Sequence, residues 1–110
     1  MTIIHSLDEF NAALLHEPAV LFYFSTAACG VCKVLKPKVD EYFRVHYPRV
    51  KLYYADMEEA PEIAAQQGIF VAPTVMICFG GKEFARLSRV FGINELDERV
   101  GRPYRMMFEN

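Results

Sequence analysis

Apolar residues recur at helical spacing, then gather into short unbroken runs, and the alternation between the two patterns lays out the chain. Leu7, Phe10, Leu14 and Leu15 follow Ser6-Leu7-Asp8-Glu9, a capping-box pattern in which a hydroxyl and a carboxylate satisfy end amides. This predicts a first helix over Leu7–His16, ended by Pro18. Residues 19–25 are apolar on both faces and suit a central buried strand. From Val31 to Tyr47 the positions Val31, Val34, Leu35, Val39, Tyr42 and Phe43 return to a helical period, with Pro37 expected to kink the helix. Val50 to Ala55 reads as a strand closed by Asp56, and Pro61 opens a short helix with Gly68 just past its end. Thr74–Phe79 is a second buried strand, Gly80-Gly81 a hairpin turn, and Lys82–Phe91 the returning strand. Asn94 with Asp97 is expected to cap a last helix that Gly101 and Pro103 stop. Strands alternating with helices and closing on a hairpin predict an α/β sandwich with a central mixed sheet and helices on both faces.

Composition narrows the function classes. A chain of 110 residues with 53% hydrophobic and 24% charged residues reads as one globular domain. The formal charge of −2 gives no broad attraction for nucleic acid or anionic membrane, and no apolar run is long enough to span a bilayer. Met1–Glu9 lacks a basic start and a long apolar run, so it does not read as a signal peptide, and a cytoplasmic location is expected.

Three cysteines are too few for a disulfide framework, and two of them form Cys29-Gly30-Val31-Cys32. Spacing alone is weak, since roughly one shuffled sequence in twenty of this make-up would contain such a pair. Placement is stronger. At the junction of a buried strand and a helix, Cys29 meets free amides and the positive end of the helix dipole, which favour a thiolate. Cys32, one turn further in and half covered, is near enough for a reversible disulfide. Cys29 is therefore expected to attack a partner disulfide and Cys32 to resolve the mixed disulfide. Zinc would need four converging ligands, and only Cys78, His5, His16 and His46 remain, with no second paired motif. Cys78, within Val75-Met76-Ile77-Cys78-Phe79, reads as a small core residue, and His16 and His46 as residues at helix ends. No metal or cofactor is expected.

Pro73 immediately precedes a buried strand, where a cis Ala72–Pro73 bond would supply the sharp turn its missing amide requires. The run Cys29-Gly30-Val31-Cys32-Lys33, Pro37, Asp56, Ala72-Pro73-Thr74, Gly80-Gly81 and Gly92 together resemble the thioredoxin family over essentially the whole chain. The resemblance implies a three-layer α/β/α fold and protein-disulfide reduction or exchange through Cys29 and Cys32. It also implies a substrate-binding rim of Ala28, Gly30, Val31, Ala72, Pro73 and Gly92, in which the backbone of Ala72 pairs with an extended partner chain. Its implied partners are disulfide-containing protein substrates and a thioredoxin-reductase-type electron donor, with the protein itself a monomer.

Departures from the family pattern bear on activity. Val31 stands where the family has proline, and its amide is expected near the Cys29 sulfur. Ala28 replaces the flanking aromatic. Tyr23 occupies the position of the family's buried aspartate, so the proton acceptor for the resolving thiol is missing, and its hydroxyl is expected at the edge of the core. These losses sustain an alternative, a binding or adaptor module with little redox turnover. In the carboxyl-terminal segment 102–110, Tyr104, Met106 and Phe108 are expected to fold back over sheet left bare by a shortened last helix, or else to dock a partner.

Overall fold

The computed structural model describes residues 1–109 and begins with a two-residue strand, β1 (Thr2–Ile3), which no sequence pattern announces. The Ser6 hydroxyl accepts from the Glu9 amide at 3.1 Å and the Glu9 carboxylate accepts from the His5 amide at 2.7 Å, which fixes the start of α1 (Leu7–His16). That helix buries Phe10 and Ala13 but leaves Leu15 78% exposed, so the spacing identifies the element and misplaces one of its residues.

β2 (Ala19–Ser25) is buried along its whole length. α2 (Gly30–His46) continues through Pro37, and the carbonyl that the proline leaves without an amide belongs to Lys33, an exposed residue. Its buried face is Cys32, Leu35, Val39 and Phe43, whereas Val31 and Val34 lie outside the core. β3 (Lys51–Asp56) ends where the Asp56 carboxylate accepts from the amides of Glu58 and Glu59 at 2.8 and 3.2 Å. α3 (Pro61–Gln66) opens on its proline, and Gly68, at φ +68°, supplies the left-handed turn beyond it. β4 (Thr74–Phe79) and β5 (Lys82–Ser88) form the hairpin through Gly80-Gly81, and α4 (Ile93–Phe108) closes the chain.

The sheet order is β1-β3-β2-β4-β5, with β1, β3 and β2 parallel and β4 and β5 antiparallel to their neighbours. Side chains alternate across it. Tyr23 joins Leu35, Val39 and Phe43 of α2 and Leu96, Val100 and Tyr104 of α4 on one face. Phe22, Phe24, Met76 and Cys78 join Phe10 of α1 and Ile63 of α3 on the other. The result is the expected three-layer α/β/α sandwich.

Three expectations are corrected here. β5 stops at Ser88 rather than Phe91, because its partner β4 begins at Thr74 and Pro73 before it has no amide to extend the ladder. Arg89 turns into φ +69° and its amide donates to the Pro73 carbonyl at 2.9 Å. Secondly, α4 is capped by Gly92 without a side-chain bond, and Asp97 instead accepts from the hydroxyls of Tyr42, at 2.9 Å, and Tyr47. Finally, Gly101 and Pro103 do not end α4. Their helix penalties, about 1 and 3 kcal/mol, are offset by burial of Val100 and Tyr104, about 2 kcal/mol each. Ring contacts of Tyr104 with Tyr47 and with Phe108, both at 4.9 Å between centroids, add to that. Of the carboxyl-terminal segment, residues 102–108 are thus helix, with Met106 outside the core rather than covering the sheet, and Asn110 lies outside the described residues.

Candidate active site

β2 gives out at Ser25, and the chain turns before α2. The Cys29 amide donates to the Thr26 carbonyl at 3.2 Å, and the Ala27 amide reaches the Glu58 carboxylate at 3.3 Å. Cys29 is the cap residue of α2 in extended conformation, and its sulfur accepts from the Cys32 amide at 3.1 Å. The amide reaching Sγ is therefore that of Cys32, not Val31: a cap side chain accepts from the second or third residue of the helix, and here it is the third. Cys29 and Cys32 form a disulfide, with Cα atoms 5.3 Å apart. Cys29 is partly exposed, and Cys32 is fully buried rather than half covered, because it opens the inner face of α2. An accessible sulfur at a helix N-terminus with an amide donated to it is the more nucleophilic of the two.

The second wall comes from β4. Phe24 pairs with Thr74, so the 26–29 turn and the 71–73 loop leave the sheet at the same end. The Ala72–Pro73 bond is cis, with Pro73 buried and Ala72 half-buried. The Thr74 hydroxyl donates to the Val71 carbonyl at 2.7 Å and lies 2.9 Å from the Ser88 hydroxyl, tying this loop to β5. On the other side of the cysteines, Phe91 shares a shallow groove of about 410 Å3 with Gly30, Val31, Val34 and Leu35. Gly92 follows, exposed, as the cap of α4, and Ala28 is exposed beside the pair. Sequence reasoning assigned Val34 to the core and did not single out Phe91. What distinguishes Val31 and Val34 is that both stand off the stripe made by Cys32, Leu35, Val39 and Phe43.

Tyr23 is not at the edge of the core. It is fully buried, and its hydroxyl donates to the Cys32 carbonyl at 2.7 Å. The ring stacks on Tyr54 at 6.1 Å, and burial first, then Tyr54, pushes its ionisation above the ordinary tyrosine value. It cannot serve as a base near neutrality. Among the described residues the buried polar side chains apart from tyrosine are Ser25 and Thr74, so no buried carboxylate adjoins the thiol. A cavity of about 410 Å3 opens beside Cys32 instead, lined also by Ser25, Thr26, Lys36, Asp40 and Tyr54.

Cys78 lies across the sheet from the pair, in the cluster of Phe22 and Phe24, and burial, with Glu83 adding, pushes its thiol up to about 12. Among the described residues, no group of three or more histidine, cysteine or acidic side chains is arranged to hold a metal ion.

The family model described as Thioredoxin matches residues 1–100. The thioredoxin-like protein YdfQ of Bacillus subtilis is 26% identical over 106 residues, spanning 96% of this chain and 94% of its own. Thioredoxin-1 of Saccharomyces cerevisiae is 28% identical over 87 residues, 79% of this chain and 84% of its own. The solved structure of Plasmodium falciparum thioredoxin superposes with a TM-score of 0.84 at 22% identity, covering 93% of this chain and 98% of that one, a likeness of fold. A family match across nearly all of the sequence, joined to a close cysteine pair of the kind used in thiol–disulfide oxidoreductase chemistry, means that the chain belongs to the thioredoxin family.

Proposed function

We propose that the protein reduces or exchanges disulfides on protein partners, with Cys29 as nucleophile and Cys32 as resolving thiol. The observation that carries this reading is the asymmetry of the pair: one sulfur partly exposed at a helix cap and accepting an amide, the other buried one turn inside. The Cys29 thiolate attacks one sulfur of the partner disulfide, forming a mixed disulfide and releasing the other partner sulfur as a thiolate that takes a proton from water. Cys32 loses its proton and attacks Cys29 Sγ. The Cys29–Cys32 bond forms, the bond to the partner breaks, and the partner leaves with two thiols. Two electrons from a thioredoxin-reductase-type donor restore the dithiol. Ala28, Gly30, Val31, Ala72, Pro73 and Gly92 form the rim on which the partner chain lies, with the Ala72 backbone as pairing edge. The protein acts as a cytoplasmic monomer.

The test is trapping. Cys32→Ser should hold partner proteins on Cys29 as stable mixed disulfides, and Cys29→Ser should hold none. Equal trapping by both variants would mean that the nucleophile is misassigned. A binding role without turnover is favoured by one observation, the lack of a buried carboxylate beside Cys32 among the described residues. It requires that the Cys29→Ser, Cys32→Ser double variant keep its partners while the native protein shows no insulin-type disulfide reduction.

A further inference from the structure

Resolution requires the Cys32 proton to leave, and the described residues hold no buried carboxylate to take it. What borders the thiol is the cavity shared with Lys36, Asp40 and Tyr54, whose rim carries the exposed Lys33. Lys36 stands four residues beyond Cys32 on α2 and therefore on the same side of the helix. Its Nζ lies 4.6 Å from the centre of the Tyr54 ring, a cation–π contact that keeps the ammonium at the cavity wall. Tyr54 stacks on Tyr23, and the Tyr23 hydroxyl is bonded to the Cys32 carbonyl. Two rings thus link a fixed positive charge to the residue whose thiol has to ionise.

We propose that Lys36 is a positioning residue for the resolving step: its ammonium, held over Tyr54 beside the cavity that Cys32 lines, stabilises the Cys32 thiolate while the proton leaves to water. This rests on the disulfide-exchange reading above and names how that exchange proceeds without the missing carboxylate. The electron pair left on Cys32 Sγ attacks Cys29 Sγ, and the partner sulfur departs as a thiolate that water protonates. The other ionisable groups facing the site are Lys33 and Asp40 on α2, Tyr23 on β2, Tyr54 on β3 and, at the mouth after β3, Glu58, whose carboxylate accepts from the Ala27 amide. β4 and α4 contribute Val75, Ile77, Leu96 and Val100 to the same cluster, and its remaining tyrosines, Tyr42, Tyr47 and Tyr104, gather towards the far end of α2, with Asp97 of α4 accepting from the first two. Asp40 lies two turns from Cys32, with its carboxylate 3.8 Å from the amino-terminal nitrogen of Met1, so the nearer charge on that helical face is Lys36.

The reduced protein mixed with an aromatic disulfide that releases a coloured thiolate separates the two steps, since attack by Cys29 gives one colour phase and resolution by Cys32 a second. Lys36→Met should slow the second phase about fivefold at pH 7 and move its pH midpoint upward by about 0.7 units. The first phase should be unchanged, Lys36→Arg should restore the second, and high salt should narrow the gap. An unaltered second-phase pH profile in Lys36→Met overturns the role of Lys36 and leaves the exchange reading intact. Greater slowing by Asp40→Asn than by Lys36→Met overturns it in favour of a carboxylate acceptor. Absence of any second phase in the native protein sinks both readings.

Discussion

The Tyr23 hydroxyl donates to the Cys32 carbonyl across 2.7 Å, so the residue standing in the position of the family's carboxylate holds the backbone of the resolving cysteine instead of its proton. The bond ties the first turn of α2 to the central strand β2. Removing only the hydroxyl with Tyr23→Phe should cost about 1 kcal/mol of stability, read as a lower denaturant midpoint with unchanged slope. Tyr23→Asp should cost ~3 kcal/mol or more through lost aromatic packing and a buried carboxyl. Per folded molecule, however, it should resolve mixed disulfides faster near neutral pH, because a base then adjoins Cys32. A slower Asp variant, with folded fraction accounted for, would show that proton removal does not limit resolution.

Mild oxidation should form the Cys29–Cys32 disulfide alone. Cys78 is buried on the opposite face of the sheet, and its thiol is pushed up to about 12, so it should resist alkylation at pH 8 until the protein is denatured. Differential alkylation followed by peptide mapping reads both. Labelling of Cys78 in the folded protein, or a bridge involving it, would contradict this assignment.

Alkaline stability should fall steeply. Burial raises Tyr23 and Tyr47 above the ordinary value of 10.0, with Tyr54 adding at the first and Asp97 at the second. In the unfolded chain both lose their protons near pH 10 while the folded protein keeps them, so the unfolded state is favoured as pH rises. The contribution of these neutral hydroxyls is complete below about pH 10 and declines above it, towards the higher folded values. Urea midpoints from pH 8 to 11 should show the decline, and Tyr23→Phe or Tyr47→Phe should each flatten it. A slope unchanged by either substitution would place the alkaline sensitivity elsewhere.

Asp97 should matter to stability although it lies on the outer part of α4. Its carboxylate accepts from Tyr42 and from the buried Tyr47, joining α2 to α4. Asp97→Ala leaves the Tyr47 hydroxyl without its acceptor and should cost about 1–2 kcal/mol, and Asp97→Asn should recover most of that loss. Equal losses in both variants would make the charge, rather than the accepting oxygen, the essential part.

Local signals accounted for much of the architecture. Ser6 and Glu9, the all-apolar run 19–25, Pro61 and Gly80-Gly81 each act through neighbours within a few residues, and the elements they mark lie where expected. The cis Ala72–Pro73 bond was legible for the same reason, being a demand of one proline before one strand. What could not be read depends on partners far along the chain. β1 is a strand only because β3 pairs with it, and β5 ends where Pro73 offers no amide. Gly101 and Pro103 promise a helix end that Tyr47, more than fifty residues earlier, overrides by packing on Tyr104. The site divides likewise. Cys29 and Cys32 announce themselves by spacing, whereas the Tyr23–Cys32 bond and the cavity holding Lys36 need the tertiary structure.

The pairing of Phe24 with Thr74 joins parts of the chain that are made at different times. Both cysteines of the site belong to the first half of the chain, within one turn at the start of α2, and β4 follows them in sequence. Cys78, carried by β4, reaches the growing fold afterwards and is drawn to the opposite face of the sheet. In a chain made amino end first, the two cysteines of the site therefore precede the third, and the ladder that completes the sheet leaves Cys78 with a layer of strands between it and the pair.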